Sequence, residues 1–117
     1  MTMNKIDYTN TEWLREEIQD ILEFYYPACV DEKHGGFIAQ LDEETGDVYD
    51  GQSKHLVATS RFTVNFCVAT QIDGPEWSRP MARRGIEFLR DGHYDPDTGG
   101  YDWLLEGRNP KDRTRIC

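Results

Sequence analysis

Arg61 stands within an otherwise apolar or small-residue run, HLVATSRFTVNFCVATQI, residues 55–72. A guanidinium supplies several fixed hydrogen-bond donors and no proton transfer at neutral pH, so its chemistry there would be binding rather than acid–base work. The ordinary alternative is a structural ion pair with one of the chain's many acids. Proton transfer would fall to histidine, whose unperturbed pKa lies near neutrality. The histidines are His34, His55 and His93, and no two of them have the spacing of a relay or a metal site. Each is therefore expected in a structural or solvent-facing role, with His34 shaping its loop.

Tyr101 and Trp103 have flat apolar faces that suit a pyranose ring, although packing beneath a hairpin is the commoner fate of strand aromatics. Asp42, Glu43, Glu44, Asp47 and Asp50 have the composition of a calcium loop but neither its alternation nor its final glutamate, so a solvated turn is expected. No pair of carboxylates stands out in residues 53–72, as glycoside hydrolysis or lyase chemistry would require. Cys29, Cys67 and Cys117 are odd in number and unmatched in spacing, which implies neither a disulfide framework nor a zinc site. No CxxC, HExxH or Walker-type loop occurs. No metal or cofactor is expected.

With 13 Lys+Arg against 22 Asp+Glu, the formal net charge of -9 disfavours nucleic acid and anionic membrane as partners. Arg outnumbers Lys nine to four and the acids are 12 Asp and 10 Glu, a balance that suits a surface hydrated in concentrated salt and a salt-loving source. The start MTMNKIDYTN lacks the apolar centre of a signal peptide, and no apolar run approaches membrane-spanning length. A cytoplasmic protein is the expectation.

These residues sit on a repeat. At an offset of 64 residues Glu12-Trp13 falls on Glu76-Trp77, Leu22-Glu23-Phe24 on Ile86-Glu87-Phe88, Asp31 on Asp95, Gly35-Gly36-Phe37 on Gly99-Gly100-Tyr101, and Leu41 on Leu105. In the first copy Leu14, Ile18, Ile21, Leu22 and Tyr25 recur at helical spacing behind a capping box of Thr9 and Glu12. In the second, Trp77, Met81, Ile86 and Leu89 make the stripe, and Gly74-Pro75 marks its start.

After each helix comes a Gly-Gly-aromatic motif. Residues 37–41, 42–46 and 47–49 read as strand, turn and strand. Residues 55–72 are too long for a strand and predict a helix, despite β-branched residues from Val57 to Ile72. Its apolar residues lie on every side, the profile of a helix surrounded by others. Lys111–Arg115 stands about where Gln52–Lys54 stood. One unit is thus an outer helix, a hairpin and an inner helix, with units at about 9–72 and 73–117. The second lacks its inner helix. A repeat unit cannot bury its apolar face without neighbours, so the array is expected to be cut short. The competing reading is a complete small three-helix domain with two hairpins.

Trp13 and Phe24, then Asp31-x-x-His34-Gly-Gly-Phe37, Asp50-x-x-x-Lys54, Arg61 followed by Phe66, and Gly99-Gly100-Tyr101-x-Trp103 together resemble the N-terminal part of the N-acylglucosamine 2-epimerase family. The resemblance covers nearly all of this chain. It implies an all-α fold, a partial (α/α)6 barrel of about one and two-thirds helix–hairpin repeats with short β-hairpins, within a single barrel domain spanning residues 1–117.

It also implies reversible proton abstraction next to the carbonyl of an open-chain sugar, and Arg61 as the residue that projects into the barrel to hold substrate oxygens. The family's catalytic histidines belong to later repeats, so no catalytic residue is assigned here and no turnover is expected of these residues alone. The partner implied is a small sugar, and a homodimer is an open assembly state. The rival functions are a glycoside hydrolase or lyase on the same barrel, and a small non-catalytic helical binding module.

Overall fold

The computed structural model describes residues 5–116, with side chains as far as Lys111. Helix α1 spans Thr11–Tyr25. Its N-cap is Asn10, whose side-chain oxygen accepts the Trp13 N–H at 3.1 Å, one residue later than the expected Thr9–Glu12 box. Thr9 is engaged elsewhere, donating its N–H and hydroxyl to the Asp7 carboxylate. An Asn carbonyl satisfies an orphan amide of the first turn as well as a Thr hydroxyl does. Only Leu22 of the apolar stripe is buried, while Ile18 and Ile21 line a groove facing the next helix.

That helix, α2, spans Leu56–Gln71. Three of its hydroxyl groups are satisfied by donating to carbonyls one turn earlier: Ser60 to Leu56, Thr63 to Thr59 and Thr70 to Phe66. Thr59, Thr63, Phe66 and Ala69 are buried and face α3, Ser78–Phe88. Pro80 is tolerated because it lies in the first turn of α3, where its missing N–H is not needed. Gly85 lets the two helices approach closely, since a Cβ built on it would fall on the Thr63 hydroxyl. A π-helical turn, Leu89–His93, continues α3.

The core gathers Leu22, Cys29, Phe37, Phe66, Ala69 and Ala82, with Tyr25, Phe62 and Trp77 packed against it. Helices supply Leu22, Phe66, Ala69 and Ala82 of this core while Cys29 and Phe37 come from the segment after α1, and α2 is not surrounded on all sides by the described residues. Val57, Val64 and Val68 of α2 remain exposed. Among the described residues no helix is long and apolar enough to cross a membrane.

Strand β1, Gln40–Leu41, pairs antiparallel with β2, Val48–Asp50. The strand expected from Phe37 starts later; Phe37 instead makes an isolated bridge with Val30. The intervening turn forms where expected, with the Asp42 carboxylate accepting the Glu44 and Thr45 N–H groups. Strand β3, Ser53–His55, joins β4, Asp102–Glu106, and β5, Asn109–Ile116, in one antiparallel sheet ordered β3-β4-β5. The strands therefore do more than close hairpins, because β3 of the first unit and β4 of the second share a sheet. Lys111–Arg115 lies in β5, which at the 64-residue offset matches β2 and not Gln52–Lys54.

The repeat is also a repeat of geometry. The bridge Val30↔Phe37 recurs as Tyr94↔Tyr101, at the same offset. In both loops the aspartate N–H bonds to the second glycine's carbonyl, the first glycine's N–H bonds to the aspartate carbonyl, and the aspartate carboxylate accepts an N–H two residues on. Gly35 and Gly99 have φ of 85° and 77°, which L side chains rarely adopt.

The two copies differ in what covers them. Leu22 and Phe37 are 7% and 3% exposed beneath the Phe62 and Phe66 side of α2. Their counterparts Ile86 and Tyr101 are 53% and 40% exposed, and with Leu89, Arg90 and Tyr94 they line an open groove.

Candidate functional site

Arg61 lies on the exposed side of α2, at a groove of about 200 Å³ bounded by Ile21, Leu22, Tyr25, Phe62 and Phe66. Tyr25 and Phe62 meet edge to face at 5.4 Å, giving the groove an aromatic wall. Away from the groove, Arg15 of α1 donates to the Ile72 carbonyl at 2.7 Å and ties α1 to the end of α2. Among the described residues no carboxylate pairs with Arg61, so the structural ion pair weighed as its alternative does not form among them. The groove thus combines a fixed donor array with an apolar, aromatic lining, a combination that can hold a polar ligand with a hydrophobic face.

The Gly-Gly loop beside α2 is built around a buried charge. Asp31 Oδ2 lies 2.6 Å from Lys54 Nζ and 3.0 Å from His34 Nδ1, while its other oxygen accepts the Lys33 and His34 N–H groups. Burial works against ionisation of Asp31, but the Lys54 ammonium and the His34 donors outweigh it and hold the carboxyl at about 2. Burial also draws Lys54 below its usual range, and Asp31 offsets part of that. Asp31 is therefore ionised at neutral pH. Lys54 also donates to the Phe37 carbonyl at 2.6 Å and stands 5.9 Å over the Phe88 ring.

The second unit closes on this loop. Arg84 of α3 donates to the Gly36 carbonyl at 2.9 Å and to the Asp31 carbonyl. Phe88 packs so close to Gly36 that a Cβ there would lie 2.7 Å from the ring. The hairpin turn of the second unit makes a reciprocal pair of contacts: His34 lies against Gly107, and Arg108 lies against Gly35.

The other residues singled out in the sequence are placed as follows. His93 is fully buried, with Nδ1 2.9 Å from the Asp102 carbonyl and Nε2 3.1 Å from the Thr59 hydroxyl. Burial lowers its pKa. His55 is the N-cap of α2 and meets Trp103 edge to face at 6.2 Å. Tyr101 is exposed and contacts Tyr94 rather than the Arg61 groove. Cys29 is buried and pushed up to about 11, while Cys67 is half-buried and Cys117 lies outside the described residues. Among the described residues no three His, Cys, Asp or Glu side chains gather as metal ligands would.

The structure therefore brings Arg61 to a groove but brings none of the three histidines into that groove's lining. It adds Lys54 and Arg84, neither of which sequence reasoning weighed individually. The sequence signals for Lys54 are its place in the Asp50-x-x-x-Lys54 element of the resemblance and its position as a lone lysine just before an apolar helix.

The profile of the N-acylglucosamine 2-epimerase (GlcNAc 2-epimerase) family matches residues 8–117. A D-mannose isomerase of Marinomonas mediterranea is 36% identical over 110 residues, covering 94% of this chain and 27% of that protein. A cellobiose 2-epimerase of Bacteroides fragilis is 28% identical over 102 residues, covering 83% of this chain and 26% of that protein. A crystal structure of a D-mannose isomerase superposes with a TM-score of 0.84 at 34% identity, over 94% of this chain and 28% of that one. The chain spans about a quarter of the length of the relatives it matches.

Proposed function

We propose, from the premise that this chain belongs to the N-acylglucosamine 2-epimerase family, that it forms the opening units of an (α/α)6 barrel in a sugar 2-epimerase or aldose–ketose isomerase. Arg61 is its substrate-binding residue. The reaction removes the proton next to the carbonyl of an open-chain sugar. Return of that proton to the opposite face of the same carbon gives the epimer, and return to the neighbouring carbon gives the ketose. In this chain Arg61 binds the sugar oxygens beside the developing enediolate, where fixed donors lower the barrier most. The general base is a histidine of a later repeat, so residues 1–117 turn nothing over alone.

The observation that carries this reading is Arg61 itself, a guanidinium at an aromatic groove with no carboxylate partner among the described residues. The exposed apolar seams between α1 and α2 and around Ile86 and Tyr101 support the array, since each is the surface a neighbouring helix would cover.

The test uses the protein as its gene encodes it, incubated with mannose or cellobiose in deuterated water. Deuterium next to the carbonyl is the expected product label. Arg61→Ala should lower kcat/KM by roughly 10²- to 10³-fold, as loss of one oxyanion donor does. Absence of exchange with any aldose would sink the epimerase reading, and full activity of Arg61→Ala would sink the assignment of Arg61 alone.

A further inference from the structure

We infer that Lys54 is a positioning residue for Arg61: it fixes where the first two turns of α2 sit, and through them where the Arg61 guanidinium is held. The inference rests on Arg61 being the residue that binds substrate oxygens.

Three segments converge on the Lys54 ammonium. They are the Gly-Gly loop through Asp31 Oδ2 at 2.6 Å, the stretch leading to β1 through the Phe37 carbonyl at 2.6 Å, and α3 through the face of Phe88 at 5.9 Å. Lys54 is 2% exposed and sits opposite Leu105 of β4, itself fully buried. A buried ammonium between a carboxylate and a carbonyl has little freedom, because any shift leaves a charge unpaired in a low-dielectric interior.

The start of α2 has no polar cap of its own. His55, its N-cap, makes no side-chain cap bond, and the first turn contains no acid. The pairing of β3 with β4, the His55–Trp103 ring contact and the packing of Phe62 on Tyr25 and Phe37 also hold this stretch, while Lys54 is the charged anchor before the helix and Thr59 against His93 a polar one within it. Arg61 is the sixth residue of α2, inside its second turn. Without an ion pair of its own among the described residues, its place follows from the helix that carries it.

A stabilising role alone would not require this pair, since apolar replacements of a buried ion pair are often neutral or better. A demand for one arrangement of the helix start would require it.

The experiment compares the protein as encoded with the double variant Lys54→Met/Asp31→Asn, in which the introduced amide oxygen still accepts the loop N–H groups and no buried charge is orphaned. Hydrogen exchange across residues 56–62 should accelerate by roughly tenfold while residues 64–71 stay unchanged, as local loosening predicts. The same variant should lose roughly 10- to 100-fold in kcat/KM, the cost of small misplacement of a binding group. That loss should vanish in an Arg61→Ala background.

Unchanged exchange at 56–62, acceleration along the whole helix, or equal kinetic losses with and without Arg61 would each overturn the inference. If the unsubstituted protein turns over no sugar, the epimerase reading falls and the exchange pattern alone decides whether Lys54 fixes the helix start. If the double variant does not fold, Asp31→Asn alone carries the same measurements.

Discussion

His93 and Thr59 join the second unit to the inner helix of the first, Nε2 lying 3.1 Å from the hydroxyl. Because the Asp102 carbonyl can only accept, Nδ1 carries the proton, and the Thr59 hydroxyl donates to Nε2. The same hydroxyl lies 3.1 Å from the His55 carbonyl and has one proton to give. A protonated His93 would send that proton back to His55 and leave an imidazolium buried near Lys54 and His55, with Asp102 the nearby counter-charge.

Burial lowers the folded pKa of His93 below its ordinary 6.5, so the unfolded chain binds the proton first. Stability is then complete above about pH 6.5 and declines as pH falls from there toward the lowered folded value. Denaturant midpoints between pH 8 and 5 should show this slope. His93→Gln, which can donate to Asp102 and accept from Thr59, should remove it at a cost of about 1 kcal/mol. A His93→Gln profile with the parent slope would assign it to another group.

Asp31 behaves in the opposite sense of charge but loses stability in the same direction of pH. Its folded pKa, held at about 2, lies below the ordinary 3.8, so its contribution is present above about 3.8 and is lost as pH falls toward about 2. Asp31→Asn should lower stability at neutral pH and flatten the unfolding profile between pH 4 and 2. Lys54→Ala alone should cost about 3–5 kcal/mol, because it leaves a buried carboxylate without its cation. A cost below 1 kcal/mol, from urea unfolding at pH 7, would mean that the pair is not closed in solution.

The repeat was legible because it is written in residue identities at a fixed offset, and the bridges Val30↔Phe37 and Tyr94↔Tyr101 obey that offset in space. The inner helix was legible from length alone, against the propensity of its β-branched residues. The burial of Thr59, Thr63, Phe66 and Ala69 on one face of the helix is what holds it against that propensity. Less could be read of the site. Arg61 announced itself as a cation in an apolar run, whereas Lys54 and Arg84 matter through partners 23 and 53 residues away from Asp31. No local pattern records a pairing at such separation, within the first unit for Lys54 and across units for Arg84. The same limit hid the sheet that β3 shares with β4, and it allowed Lys111–Arg115 to be matched to the wrong strand.

Gly85 tests how closely α2 and α3 cross. A methyl group there would meet the Thr63 hydroxyl and lie 3.1 Å from the Phe37 ring. Helix propensity favours Ala over Gly by about 1 kcal/mol, yet overpacking typically costs about 1–3 kcal/mol. The net effect of Gly85→Ala should therefore be destabilising, and Thr63→Ala added to it should recover part of the loss. If Gly85→Ala raises the melting temperature, the crossing is looser and propensity dominates.

Tyr101 offers the sharpest test of the array. As Phe37's counterpart it occupies a position that is 3% exposed in the first unit but 40% exposed in the second, beside Ile86 at 53%. An exposed aromatic truncated at a surface usually changes stability by no more than about 0.5 kcal/mol. If a further inner helix covers this groove in the protein as encoded, Tyr101→Ala should instead behave as a core deletion and cost about 3–5 kcal/mol. Ile86→Asp, placing a charge under that helix, should be at least as damaging. Urea unfolding of both variants decides the matter. Two near-neutral results would mean that nothing docks on the second unit, and the reading of these residues as the opening of a larger helical barrel would fail with them.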